Sequence, residues 1–147
     1  MESRIFHTRS EEETIALGRQ LGTELASGVV LLIGNLGAGK TTLAKGIVEG
    51  RNGTSADEVS SPTFTLIHQH GDEAPVYHID LYRLDEPREV ESLGLDDLFA
   101  SQSLVLIEWG ERFPALLPRQ RTEIRLRVLP DEMLSYQTRE ITVAQVS

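Results

Sequence analysis

The chemistry in this chain is concentrated in eight residues. Gly34-Asn35-Leu36-Gly37-Ala38-Gly39-Lys40-Thr41 matches the pattern Gly-x-x-x-x-Gly-Lys-[Ser/Thr]. These residue types suit a polyphosphate: glycines let successive backbone N–H groups turn inward onto phosphate oxygens, and a helix starting near Gly39 adds the positive end of its dipole. Lys40 is expected to reach the β and γ phosphates and the Thr41 hydroxyl to hold Mg²⁺. A dinucleotide turn is excluded, because Gly-x-Gly-x-x-Gly is absent here.

Such a loop needs a carboxylate near the magnesium, at the carboxyl end of a neighbouring buried strand. Two strands qualify, ending at Glu108 and at Asp80. Glu108 closes the more apolar one and is the first choice for Mg²⁺, directly or through water. Asp80 is then left to orient or deprotonate an attacking water, or to share the magnesium shell. Ser60-Ser61-Pro62-Thr63 ends a long polar stretch and reads, on composition alone, as a plain turn before a strand. Trp109, the single tryptophan, follows Glu108 and reads first as packing. His68 and His70 share a strand face without a third ligand at suitable spacing, so no metal site is expected there. Arg119, Arg121, Arg125 and Arg127 read as a solvated hairpin face.

The elements that must position these groups follow from periodicity. Val29 to Ile33 is apolar without alternation, the pattern of a strand buried on both faces, and it leads directly into the glycine loop. Leu43/Ile47 and Ala44/Val48 give helical spacing from Lys40 to a stop at Gly50. Upstream, Ser10-x-x-Glu13 is a capping box opening a helix over about residues 10–26, with Leu17, Leu21 and Leu25 on one side and Gly18 and Gly22 where a close neighbour fits. Thr63–His68 and Val76–Tyr82 are expected as an antiparallel pair, because the connection at 71–75 is short. Pro87–Leu93 is a short helix and Ser103–Glu108 a second buried strand. Arg121–Val128 and Tyr136–Val143 form a terminal hairpin with one wet face. The expected fold is therefore α/β, a mixed and mostly parallel sheet flanked by helices with a C-terminal antiparallel hairpin, in one domain over 1–147.

The 147 residues suit one core, and 14 Lys+Arg against 23 Asp+Glu leave a net charge of −9 with no cysteine. Disulfide frameworks, thiolate metal sites and cysteine nucleophiles are excluded. Autonomous nucleic-acid binding is not expected, since that affinity comes from Lys and Arg on phosphates. The longest apolar run is far short of a membrane span and the N-terminus lacks a signal peptide's apolar stretch, so a cytoplasmic protein is expected. Guanine-reading Asn-Lys-x-Asp and a γ-phosphate Asp-x-x-Gly are both absent, which favours ATP. A small-molecule kinase would carry an arginine-bearing lid, and the stretch after the loop's helix holds only Arg51.

Four segments in this order resemble the bacterial TsaE family: Gly34 to Thr42, Ser61-Pro62-Thr63-Phe64-Thr65-Leu66, His78-Ile79-Asp80-Leu81-Tyr82-Arg83-Leu84, and Leu106-Ile107-Glu108-Trp109. The resemblance runs from the N-terminal helix to about Pro118. It implies a P-loop ATPase needed for threonylcarbamoyladenosine formation in tRNA, working with a TsaB–TsaD pair. It carries phosphate binding onto Gly37, Ala38, Gly39, Lys40, Thr41 and Thr42, Mg²⁺ binding onto Thr41 and Glu108, and an ATPase role onto Asp80. It also turns Ser61, Pro62 and Thr63 into a switch segment and gives Trp109 a functional part. Asn35 departs from the acidic residue of relatives, at a tolerant position. Two other readings stay open: a docking switch in which ATP orders a loop without needed turnover, and a small-molecule kinase.

Overall fold

A computed structural model describes residues 3–56, 59, 66–130 and 138–146. Their strands form one seven-stranded sheet: β1 (Ser3–Thr8), β2 (Gly28–Ile33), β3 (Ile67–His70), β4 (Val76–Asp80), β5 (Leu104–Glu108), β6 (Arg121–Leu129) and β7 (Thr138–Val146). Their order is β1-β7-β6-β2-β5-β4-β3. The four central strands, β6, β2, β5 and β4, run parallel, and antiparallel strands complete both edges. The carboxyl ends of the parallel strands therefore share one edge of the sheet, where ligands of open α/β folds bind.

Alternation along the strands divides the core. Val30, Leu32, Leu104, Leu106, Ile124 and Leu126 face α1 (Glu11–Glu24) and α2 (Lys40–Asn52), whereas Val29, Leu31, Val105, Ile107 and Ile79 face the short helices α3 (Pro87–Glu91) and α4 (Leu95–Ala100) and Phe113. With both faces covered, β2 and β5 need no polar alternation. Leu32, Leu104, Leu106 and Ile107 are fully buried, each worth about 1.5–3 kcal/mol relative to exposure.

The helix that carries the glycine loop is seated on α1 through glycine. A Cβ at Gly46 would lie 2.2 Å from the Ile15 carbonyl oxygen, and one at Gly18 2.5 Å from that of Leu43. The crossing is backbone on backbone, so the start of α2 has little freedom to shift. Gly50 belongs to the same contact, 2.2 Å from the Arg19 carbonyl oxygen by the same construction, and the helix runs past it to Asn52. Gly53, at φ 80°, is the true stop. Ser10 caps α1, its hydroxyl accepting from the Glu13 N–H at 3.1 Å; Glu13 in turn accepts from the Arg9 N–H rather than from Ser10.

Other boundaries depart from expectation. Strand β1 has no counterpart in the sequence reading: it is a mostly exposed edge strand held by pairing with β7. The strand expected over 63–68 is found at Ile67–His70, and residues 63–65 lie outside the described ones. Gly94, in a left-handed conformation, ends the turn after α3 and opens α4, a helix too short to show a period. The terminal hairpin pairs Arg121 with Val146 through Leu129 with Thr138, so its second strand runs past the expected Val143 to Val146; residues 136 and 137 of the expected strand lie outside the described ones.

Candidate functional site

The glycine loop leaves β2 at Ile33 and enters α2 at Lys40. Gly37 and Gly39 adopt φ of 82° and 102°, conformations that side-chain-bearing residues avoid, and these reverse the chain onto the helix start. The Ala38 N–H donates to the Asn35 carbonyl at 3.0 Å, closing the turn.

Lys40 is only 5% exposed, and its Nζ has no hydrogen-bond partner among the described residues. It lies 3.5 Å from the centroid of the Trp109 ring, a cation–π contact. Burial pushes its pKa below the ordinary lysine value, and the nearby carboxylates of Glu108, Glu111 and Asp80 work against that shift. A buried ammonium without an acceptor suits an anion brought in from solution.

Alternation sets the acids. Glu108 shares a sheet face with Leu104 and Leu106, the face of α2, and its register partner across β5 and β4 is Asp80. Thr41 Oγ1 donates to Glu108 Oε2 at 3.4 Å. A hydroxyl and a carboxylate this close are hard oxygen donors of the kind that would suit Mg²⁺. Asp80, half-buried, accepts the Tyr82 N–H at 2.9 Å. Both acids line one cleft of about 340 Å³ together with Lys40, Thr41, Thr42 and Trp109.

Trp109 adopts φ 66°, a left-handed conformation that costs a non-glycine residue roughly 1–2 kcal/mol. Its ring packs against Tyr82, centroids 5.1 Å apart, as well as over Lys40. Strain of this kind collects at functional sites.

Sequence reasoning gave His78 no role. Two residues before Asp80 on β4, it falls on the same face, is fully buried, and donates Nε2–H to Glu108 Oε2 at 2.5 Å. Strand alternation through Asp80 was the available signal. Arg139 and Glu11 were also missed, and both line the cleft. Ser61, Pro62 and Thr63 lie outside the described residues. Among the described residues no group of three His, Cys, Asp or Glu side chains is arranged to hold a metal ion, and His68 and His70 merely meet edge to face, 6.0 Å apart. Three arginines of β6 are paired: Arg121 and Arg125 with Glu123, and Arg127 with Glu140. No helix among the described residues is long and apolar enough to cross a membrane.

Comparison with known proteins bears on this arrangement. The family model "Threonylcarbamoyl adenosine biosynthesis protein TsaE" matches residues 8–140. The tRNA threonylcarbamoyladenosine biosynthesis protein TsaE of Bacillus subtilis (strain 168) is 39% identical over 143 residues, covering 96% of this chain and 85% of that one. Its counterpart in Treponema pallidum (strain Nichols) is 38% identical over 138 residues, covering 93% and 97%. A crystal structure of Bacillus subtilis YdiB superposes with a TM-score of 0.78 at 32% identity, over 99% of this chain and 87% of that one. With a match spanning most of its length, and a mixed sheet shared with that solved structure, the chain belongs to the TsaE family of threonylcarbamoyladenosine biosynthesis proteins.

Proposed function

We propose that this chain binds and hydrolyses ATP with Mg²⁺, and that turnover resets a TsaB–TsaD pair during threonylcarbamoyladenosine formation in tRNA. The observation that carries the reading is Lys40: a buried ammonium without a hydrogen-bond partner among the described residues, set at the start of α2 beside the Thr41–Glu108 contact. In this reading Lys40 neutralises charge on the β and γ phosphates, while the backbone of Gly37 to Thr42 wraps the phosphate chain. Thr41 and Glu108 would hold Mg²⁺, which would supply positive charge against the phosphate oxygens. His78 keeps the Glu108 carboxylate aimed at Thr41. Asp80, on the neighbouring strand end, orients the attacking water; the water oxygen bonds to the γ phosphorus as the bond to the β-γ bridging oxygen breaks, giving ADP and an inorganic phosphate that carries the water's protons.

The acidic balance supports work through protein partners, because a net charge of −9 opposes direct capture of tRNA. The cytoplasm is the matching compartment. The decisive measurement is the steady-state ATPase rate of the purified chain with and without the TsaB–TsaD pair. A rate raised by the pair is expected, and a rate indifferent to it overturns the dependence on partners. Asp80→Ala separates hydrolysis from docking: full pathway activity with ATP bound and hydrolysis lost would leave only a docking role.

A further inference from the structure

A groove of about 440 Å³ opens on the face of the sheet covered by the short helices and shares no lining residue with the cleft. Its floor belongs to the core: Val90 and Leu95 are buried, and the half-buried Phe99, Leu116 and Leu117 complete an apolar lining. One wall is the turn of α3 into α4 around Gly94, and the other is the 3-10 turn Pro114–Leu116 with Leu117 and Pro118 behind it. Prolines at 114 and 118 restrict the backbone of that second wall.

The lip of the groove is acidic. Glu91 and Asp96 are exposed there, and no lysine or arginine is among the lining residues. Between Asp85 and Asp97 the chain carries six acids and one arginine, a local charge of −5 within a total of −9. An apolar patch rimmed by polar residues marks an interaction surface, and the chemistry of the rim selects the partner. Acids at the lip repel a phosphate-rich surface such as RNA or an anionic bilayer. The walls are helical turns and present no strand edge for an added strand, so an extended peptide lacks backbone partners, whereas a helix docks through side chains alone. We propose that this groove docks an amphipathic basic helix of a partner protein, its apolar side chains entering over Val90, Leu95 and Leu117 and its lysines or arginines meeting Glu91 and Asp96.

Both walls are continuous with the cleft. β4 ends at Asp80 and the chain runs through Tyr82 and Asp85 into α3, while β5 ends at Glu108 and runs through Trp109 to Pro114. Arg112 ties the two paths together, donating to the Tyr82 carbonyl at 2.8 Å and to the Asp85 carboxylate at 3.3 Å. A helix seated in the groove therefore bears on the two strand ends that carry the candidate acids. The docking itself stands whether or not the cleft turns over ATP.

The test uses the full chain and a fluorescein-labelled peptide of about four helical turns, with leucines on one stripe and lysines elsewhere. A scrambled peptide of the same composition lacks the stripe, and a third carries glutamate in place of lysine. The striped peptide is expected to bind with a micromolar Kd, the scrambled one at least about tenfold more weakly and the acidic one not at all, with amide shifts in ¹⁵N spectra gathered at Val90, Leu95, Phe99 and Leu117. Leu116→Asn, and separately the pair Glu91→Lys and Asp96→Lys, should weaken the striped peptide by about tenfold or more, while Glu12→Lys, an exposed acid on α1, changes affinity by less than about twofold. The lip pair is exposed, so it carries the test should Leu116→Asn fail to fold. Absence of binding overturns the proposal. Equal binding of the scrambled peptide, or an equal loss in Glu12→Lys, also overturns it, by reducing the effect to net charge. Shifts gathered at the cleft, or a wild-type dimer in sedimentation that the lip pair breaks, would give the groove no such partner and overturn it as well.

Discussion

The two flanks of β2 use charge in opposite ways. On the β5/β4 side, Glu108 is 3% exposed and His78 fully buried, and they share a hydrogen bond inside an otherwise apolar layer. On the β6/β7 side, Arg125 and Arg127 expose most of their side chains and pair with acids at the rim of water. Buried charge is tolerated only where something compensates for lost hydration, so its presence beside the glycine loop makes that end of the sheet the candidate site. Exposed pairs on a hairpin carry no such meaning, as they are screened and individually weak. Arg139 is the exception on its flank, and it is also the one arginine of β6 and β7 that reaches the cleft.

If the contrast is sound, substitutions on the first flank should remove function and those on the second should barely register. Lys40→Ala carries the largest expected effect. It deletes the buried charge that the proposed function sets against the β and γ phosphates, and Mg-ATP hydrolysis should fall by at least about a thousandfold, with binding weakened in the same titration. Near-normal hydrolysis would mean that the cleft holds something other than a triphosphate. Glu108→Gln comes next. It keeps the shape and a hydrogen bond to His78 but removes the negative charge, and magnesium-dependent hydrolysis should fall about a hundredfold, measured across a Mg²⁺ titration.

His78→Asn tests whether the buried hydrogen bond serves the site or only the core. A residue that orients a metal-binding carboxylate typically alters metal affinity or activity by about tenfold to a hundredfold when replaced. The expected signature is a higher Mg²⁺ concentration for half-maximal hydrolysis, with the melting transition still cooperative. A loss of stability with unchanged magnesium dependence would return His78 to the core.

The legibility of the two flanks differed for a physical reason. Val29–Ile33 and Leu104–Ile107 are buried on both faces, and a run without alternation states that directly in sequence. The loop and Glu108 followed from those strands, because a glycine turn and a strand-end acid are local features. His78 was hidden because its partner is 30 residues away and only the parallel register of β4 and β5 brings them together. Strand β1 was hidden because an exposed edge strand shows little periodicity and depends on β7, more than 130 residues later. Arg139 was hidden for a related reason: its height relative to the loop depends on how β7 pairs with β6, and composition cannot supply a register.

Glu123→Gln probes the quiet flank and carries the smallest expected effect. Glu123 accepts from Arg121 at 2.7 Å and from Arg125 at 3.1 Å, on the face of β6 away from α1 and α2. Arg125 is 63% exposed, so its share of the pair is heavily screened, and only the Arg121 contact is sheltered. The substitution should lower unfolding free energy by no more than about 1 kcal/mol, less at high salt, and leave ATP hydrolysis unchanged. Chemical denaturation at two salt concentrations measures the first and a steady-state assay the second. A loss of hydrolysis here would break the comparison, because charge on the hairpin would then be reaching the cleft by a route other than Arg139.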